Sequence, residues 1–94
     1  MPEVVFRVRW PDESIHRCYS PSTVVEDVFA AGHAYPVSEF VELSRKALTI
    51  ASERVRKSYG FACSQAAAQL AEIEHTAARF ADPLSTVVVE GFER

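Results

Sequence analysis

Two thiols, three imidazoles and three N-terminal arginines are the side chains of this 94-residue chain whose types and spacing could carry chemistry. Cys63 stands at the expected start of a helix, where unpaired amides and the positive end of the helix dipole lower a thiol pKa. It is the better candidate for a reactive thiol, and Cys18 is the second. Each is also read as an ordinary packing or capping residue. Two cysteines outside any CxxC pair make neither a disulfide scaffold nor a redox motif, and they fit a reducing cytoplasm. His16 and Cys18 lie two apart, so on a strand both would point to one face and could reach one ion. Zinc needs three or four protein ligands, and His33, Cys63 and His75 have no recognisable spacing to supply the rest. No metal and no other cofactor is expected. GxSxG, HExxH, phosphate-loop and GxGxxG motifs are absent from the sequence, which removes the motif-bearing routes to hydrolase, metalloprotease, nucleotidase and dinucleotide enzyme. Glu72 and Glu74 fall two apart on a helix, do not face each other, and read as a solvated face. No catalytic residue is assigned, and the chain reads more readily as a non-enzyme.

Arg7, Arg9 and Arg17 pose a different question, because Trp10 and Tyr19 accompany them. Aromatics on a sheet can stack bases, but the aromatic strand motif of an RNA-recognition module is missing. The net charge of −3 also disfavours non-specific nucleic-acid binding. Charge is unevenly spread: residues 39–62 carry five basic and three acidic side chains, whereas the segments on either side are net acidic. The three arginines are better read as a contact surface for a protein, since arginine and aromatic residues are enriched at interfaces. That partner could be another protein or a second copy joined through a sheet edge, because edge strands invite pairing.

The elements that must position these residues follow from periodicity. Val4, Phe6, Val8 and Trp10 alternate with Val5, Arg7 and Arg9; Pro11–Ser14 breaks the run, and Ile15–Tyr19 resumes it. This predicts a β-hairpin with one apolar and one basic face. A Glu at position 13 is a poor host for positive φ, so the turn is expected to exceed two residues, and the register is left open. Thr23 and Glu26 have capping-box spacing, and a short helical turn over Val24–Phe29 is expected. Gly32–Pro36 reads as a loop, with Tyr35 extended by the proline after it. Ser38 is the expected N-cap of a long helix over Ser38–Tyr59, with Gly60 as its stop. Its apolar stripe comprises Phe40, Val41, Leu43, Ala47, Leu48, Ile50, Ala51, Val55 and Tyr59. A second helix begins at Cys63-Ser64, carries the seam Ala66, Leu70, Ile73, Ala77 and Phe80, and stops at Asp82-Pro83. Val87-Val88-Val89 reads as a closing strand. The sum is one α+β domain over residues 1–94, β-β-α-α-β, a three-stranded sheet with a long antiparallel helical hairpin packed on one face.

Apolar residues at 48% and charged residues at 24% are ordinary for a globular domain. Neither a signal peptide nor a membrane-spanning stretch is visible, so a soluble cytoplasmic protein without membrane contact is expected. Phe6-Arg7-Val8-Arg9-Trp10-Pro11-Asp12, Cys18-Tyr19-Ser20-Pro21-Ser22, Ser44-Arg45-Lys46-Ala47-Leu48, Ala51-Ser52-Glu53-Arg54-Val55 and Tyr59-Gly60-Phe61 resemble a family of small bacterial nitrogen-starvation-response proteins. The resemblance runs over nearly the whole chain. It implies a role in nitrogen limitation and an origin in gene clusters that carry a nitrilase, a radical-SAM enzyme, an acetyltransferase and a flavoprotein. It supplies no catalytic residues. Two functional readings follow: an accessory protein that binds a partner or itself, and a small cysteine-dependent enzyme or ligand carrier using Cys63 or Cys18.

Overall fold

The alternating N-terminal run forms a hairpin of β1 (Val4–Arg9) and β2 (Ile15–Ser20) in the computed structural model, which describes residues 3–60, 64–80, 82 and 84–93. Its turn is longer than two residues. The Glu13 amide donates to the Trp10 carbonyl at 2.8 Å, the Trp10 amide donates to the Ser14 carbonyl at 2.9 Å, and Glu13 takes the left-handed φ of 69°. Pro11 suits the first corner of such a turn, because its ring presets φ. Asp12 Oδ1 accepts from the Ser14 hydroxyl at 2.6 Å and its amide at 3.0 Å. Those two bonds hold the Asp12 carboxyl below its usual range.

The remaining elements are α1 (Val24–Val28), β3 (His33–Pro36), α2 (Val37–Tyr59), α3 (Ser64–Ala77) and β4 (Thr86–Glu93). The sheet has four strands in the order β2-β1-β4-β3, each antiparallel to its neighbours, where the sequence suggested three. The additional strand is His33–Pro36, which reads as a loop because glycine and proline bracket it. Its pairing is non-local: His33, Ala34, Tyr35 and Pro36 lie opposite Val89, Val88, Val87 and Thr86. The Tyr35 ring is buried, and its hydroxyl accepts from the Ala30 amide at 2.9 Å.

β3 leads into α2 without a linker, so Pro36 rather than Ser38 occupies the N-cap position. The first helical amide, Val37, donates to the Ser85 carbonyl at 3.0 Å. This cap comes from another part of the chain and leaves no local signal. Thr23 makes no side-chain cap either; the Ser22 hydroxyl accepts from the Val24 amide at 3.4 Å. Gly60 closes α2 as expected, with φ of 84° and its amide bonded to the Arg56 carbonyl at 2.8 Å. The buried stripe of α2 ends at Val55, and Tyr59 is exposed.

α3 buries Ala66, Ile73 and Ala77, with Leu70 and Phe80 packed against the core from its margin. The helix ends at Ala77, earlier than Asp82-Pro83, and its exit tightens into short-range bonds from Arg79 to Thr76 and from Phe80 to Ala77. Phe61, Ala62, Cys63 and Pro83 lie outside the described residues. Arg45 of α2 meets Glu74 of α3 at 2.7 Å, and Leu48 and Ser52 line a cleft with Ala66 and Leu70. The core lies between the helices and one sheet face. Trp10 stacks on Phe80 with ring centroids 5.8 Å apart and meets Phe40 edge-on at 5.4 Å; Phe29 sits between Phe6 and Phe40. Phe6, Val8 and Trp10 are therefore the floor beneath the helices.

Candidate interaction surface

β1 alternates between two environments. Val4, Phe6 and Val8 turn to the helices, and Val5, Arg7 and Arg9 to the opposite face. Register carries the division across the sheet. Arg17, Tyr19 and Ile15 stand opposite Arg7, Val5 and Arg9, whereas Cys18 and His16 stand opposite the core residues Phe6 and Val8. The three candidate arginines thus share one face, uncovered by either long helix, and His16 and Cys18 share the other.

A β-bulge decides what the arginines meet. Arg7 pairs with Gly91 and Val8 with Val89, so Glu90 is an extra residue on β4. Strict alternation from Val87 and Val89 would send Phe92 outward and Glu93 towards the core. The extra residue reverses this, placing Phe92 opposite Phe6 and packed against the core. Glu93 consequently joins Glu90, which alternation already turns outward, on the arginine face. Arg9 Nη2 meets Glu90 Oε2 at 2.7 Å, Arg7 Nε meets Glu90 Oε1 at 3.4 Å, Arg7 Nη1 meets Glu93 Oε2 at 3.6 Å, and Arg17 Nη2 meets Glu93 Oε1 at 3.1 Å. At the corner, the Tyr19 hydroxyl donates to Glu3 at 3.4 Å. The surface is a ladder of paired charges flanked by Val5, Ile15 and Val88, with Ile15 half-exposed. It is not the basic patch that the first twenty residues suggest when read alone. Glu90 and Glu93 escaped the sequence reading because they lie over seventy positions from the arginines. Their one local signal is a glycine inside the valine strand, which marks a bulge.

His16 has a structural task. The indole of Trp10, 1% exposed, donates from Nε1 to His16 Nδ1 at 3.1 Å, so the imidazole supplies the acceptor that a buried indole requires. Cys18 is 1% exposed, and burial first, then the nearby Glu72 carboxylate, pushes its thiol up to about 12. It is therefore a neutral, packed thiol at physiological pH. Cys63, the other thiol candidate, lies outside the described residues. Among the described residues no cluster of three or more His, Cys, Asp or Glu side chains could hold a metal ion, and no helix is long and apolar enough to cross a membrane.

Both sheet edges are partly closed. The outward amide of Tyr19 on β2 donates to Gln69 Oε1 of α3 at 2.9 Å, and β3 at the other edge is four residues long and ends in proline.

Neither a curated protein nor a solved structure matches the chain. A family model does match, that of the nitrogen starvation-induced protein NitG, and it covers residues 5–92, from the first sheet strand to the last. The chain belongs to that family of nitrogen starvation-induced proteins.

Proposed function

We propose that this protein is a small cytoplasmic accessory factor of the nitrogen-starvation response that works by protein contact rather than catalysis, using the uncovered face of its sheet. In this reading α2 and α3, an antiparallel hairpin, serve as the structural layer, and the opposite sheet face is left for recognition. The observation that carries the proposal is the composition of that face. Arg7, Arg9 and Arg17 alternate with Glu90 and Glu93, and Val5, Ile15 and Val88 stand among them. Paired charges of both signs suit a protein of mixed charge. They suit a nucleic acid poorly, because a uniformly negative partner would have to displace two glutamates from its own cations. Products of the gene clusters to which the resemblance points are the first partners to examine.

A photoreactive residue installed at Ile15 or Val88 tests the reading in nitrogen-starved cells, with Ala71 on the exposed side of α3 as control. Adducts to protein from the two sheet positions and none from Ala71 support it. No adduct from the sheet, or equal adducts from all three positions, overturns it.

A further inference from the structure

The layout of the ladder names an occupant. Positive charge lies on β1 and β2 (Arg7, Arg9, Arg17) and negative charge on β4 (Glu90, Glu93), apart from Glu3 at the β1–β2 corner beside Tyr19. β1 and β4 are the two central strands. A twofold axis parallel to the strands and midway between them keeps each residue's position along the strand and exchanges β1 with β4 and β2 with β3. That operation lays Arg7 and Arg9 of one copy over Glu90 of the other, because Arg7 and Arg9 flank the bulge at Glu90. It also lays Ile15, opposite Arg9, over Ala34 of the other copy, since Ala34 stands opposite Val88 and Val88 opposite Arg9.

We propose that the uncovered sheet face seats a second copy of this chain, face to face about that axis, with the arginines of each copy bridging to the Glu90 of the other. The inference rests on the reading of this face as the contact surface. It follows from self-complementarity at the centre of the face: Arg7 and Arg9 on one side of the axis and Glu90 on the other exchange places under the rotation, as opposite charges at a symmetric dimer interface must. Aligned packing of two sheets through their faces is an established geometry. The face is favoured over the edges because Gln69 already occupies the β2 edge amide at Tyr19, and β3 is only four residues long and ends at Pro36.

The purified full chain is examined by sedimentation velocity and light scattering over a wide concentration range. The expected result is a monomer–dimer equilibrium that weakens with salt. Arg9→Glu, or Ile15→Asp, is expected to raise the dissociation constant about tenfold or more. The charge exchange Arg9→Glu with Glu90→Arg in one chain is expected to recover dimerisation in part, because it re-forms the 9–90 pair within and between copies while Arg7 keeps only Glu93. Circular dichroism confirms that each variant is folded, and the rescue separates a pairing defect from damage to the fold. A monomer at all concentrations overturns the inference, as does a dimer indifferent to Arg9→Glu and Ile15→Asp. A monomer whose sheet positions still crosslink to another protein refutes the dimer alone; a sheet that crosslinks to nothing refutes the broader reading.

Discussion

Replacing Glu90 by Gln removes one charge, keeps the side chain's shape, and strikes the centre of the ladder. Glu90 meets Arg9 at 2.7 Å and Arg7 at 3.4 Å, with 19% of its own side chain exposed against 46% and 42% for the two arginines. Exposed ion pairs contribute roughly 0.2–1 kcal/mol each, the upper end applying where geometry is good and one partner is partly buried. The Arg9 contact falls near that upper end. The Arg7 contact falls near the lower end, because Arg7 retains Glu93 at 3.6 Å. The expected loss is about 1 kcal/mol in all, or a Tm lower by roughly 4–8 °C for a domain of this size. Urea unfolding at low salt measures it. At ~1 M salt the Debye length shrinks to about 3 Å, and the loss should fall by half or more. A double-mutant cycle with Arg9→Gln should return a coupling of about 0.8 kcal/mol, the Arg9 share of that loss. A neutral Glu90→Gln at low salt, a loss that salt leaves unchanged, or zero coupling would refute the ladder. These measurements are made at a concentration where the chain is monomeric, so that only intrachain pairs are read.

His16→Ala strands the indole N–H of Trp10 in the core and should cost about 1–3 kcal/mol in urea unfolding; a cost below about 0.3 kcal/mol would show that the bond contributes nothing. Cys18 should resist alkylation in the folded chain at neutral pH and react on unfolding, and rapid labelling of native Cys18 would contradict its burial. Because its thiol moves from 9.0 in the reference state to about 12 when folded, the unfolded chain loses that proton first as pH rises. The native state then binds more protons than the unfolded one, so stability should fall as pH rises from about 9 to about 12. Cys18→Val should remove this component, and an identical alkaline profile in the variant would refute it. Glu13→Gly relieves a left-handed residue whose steric penalty is about 1–2 kcal/mol, against a glycine entropy cost of ~0.5–1 kcal/mol, so a net gain of a few tenths to about 1 kcal/mol is expected in thermal unfolding. A destabilised Glu13→Gly would mean that the Glu13 side chain makes a contact worth more than the strain.

The parts of this molecule governed by local periodicity were legible in its sequence. β1 and β2 follow from alternation, the core seam of α3 from Ala66 to Ala77 from helical spacing, and the end of α2 from Gly60. Features set by long-range partners were not. β3 exists because Val87–Val89 offers it a ladder. The start of α2 is set by the carbonyl of Ser85, and the charge of the arginine face by Glu90 and Glu93, the second turned outward by one extra residue at the bulge. His16 illustrates the same limit. Its spacing to Cys18 would let both reach one ion, though no metal was expected; the pair does share a face, and the turn geometry that brings Trp10 across to His16 makes it a hydrogen-bond acceptor. Arg7, Arg9 and Arg17 do share one sheet face, and their neutralisation by β4 was hidden by sequence distance.

The central claim is that the sheet face opposite the helices is the working surface of the protein. Radical footprinting of Val5, Ile15 and Val88, in nitrogen-starved cells and in dilute purified protein, tests it most directly, with Ala71 and His75 of α3 as internal references. The account predicts that the three sheet residues are labelled in the dilute protein and protected in the cell, while the α3 residues are labelled in both. Equal labelling of the sheet face in the two settings would contradict it.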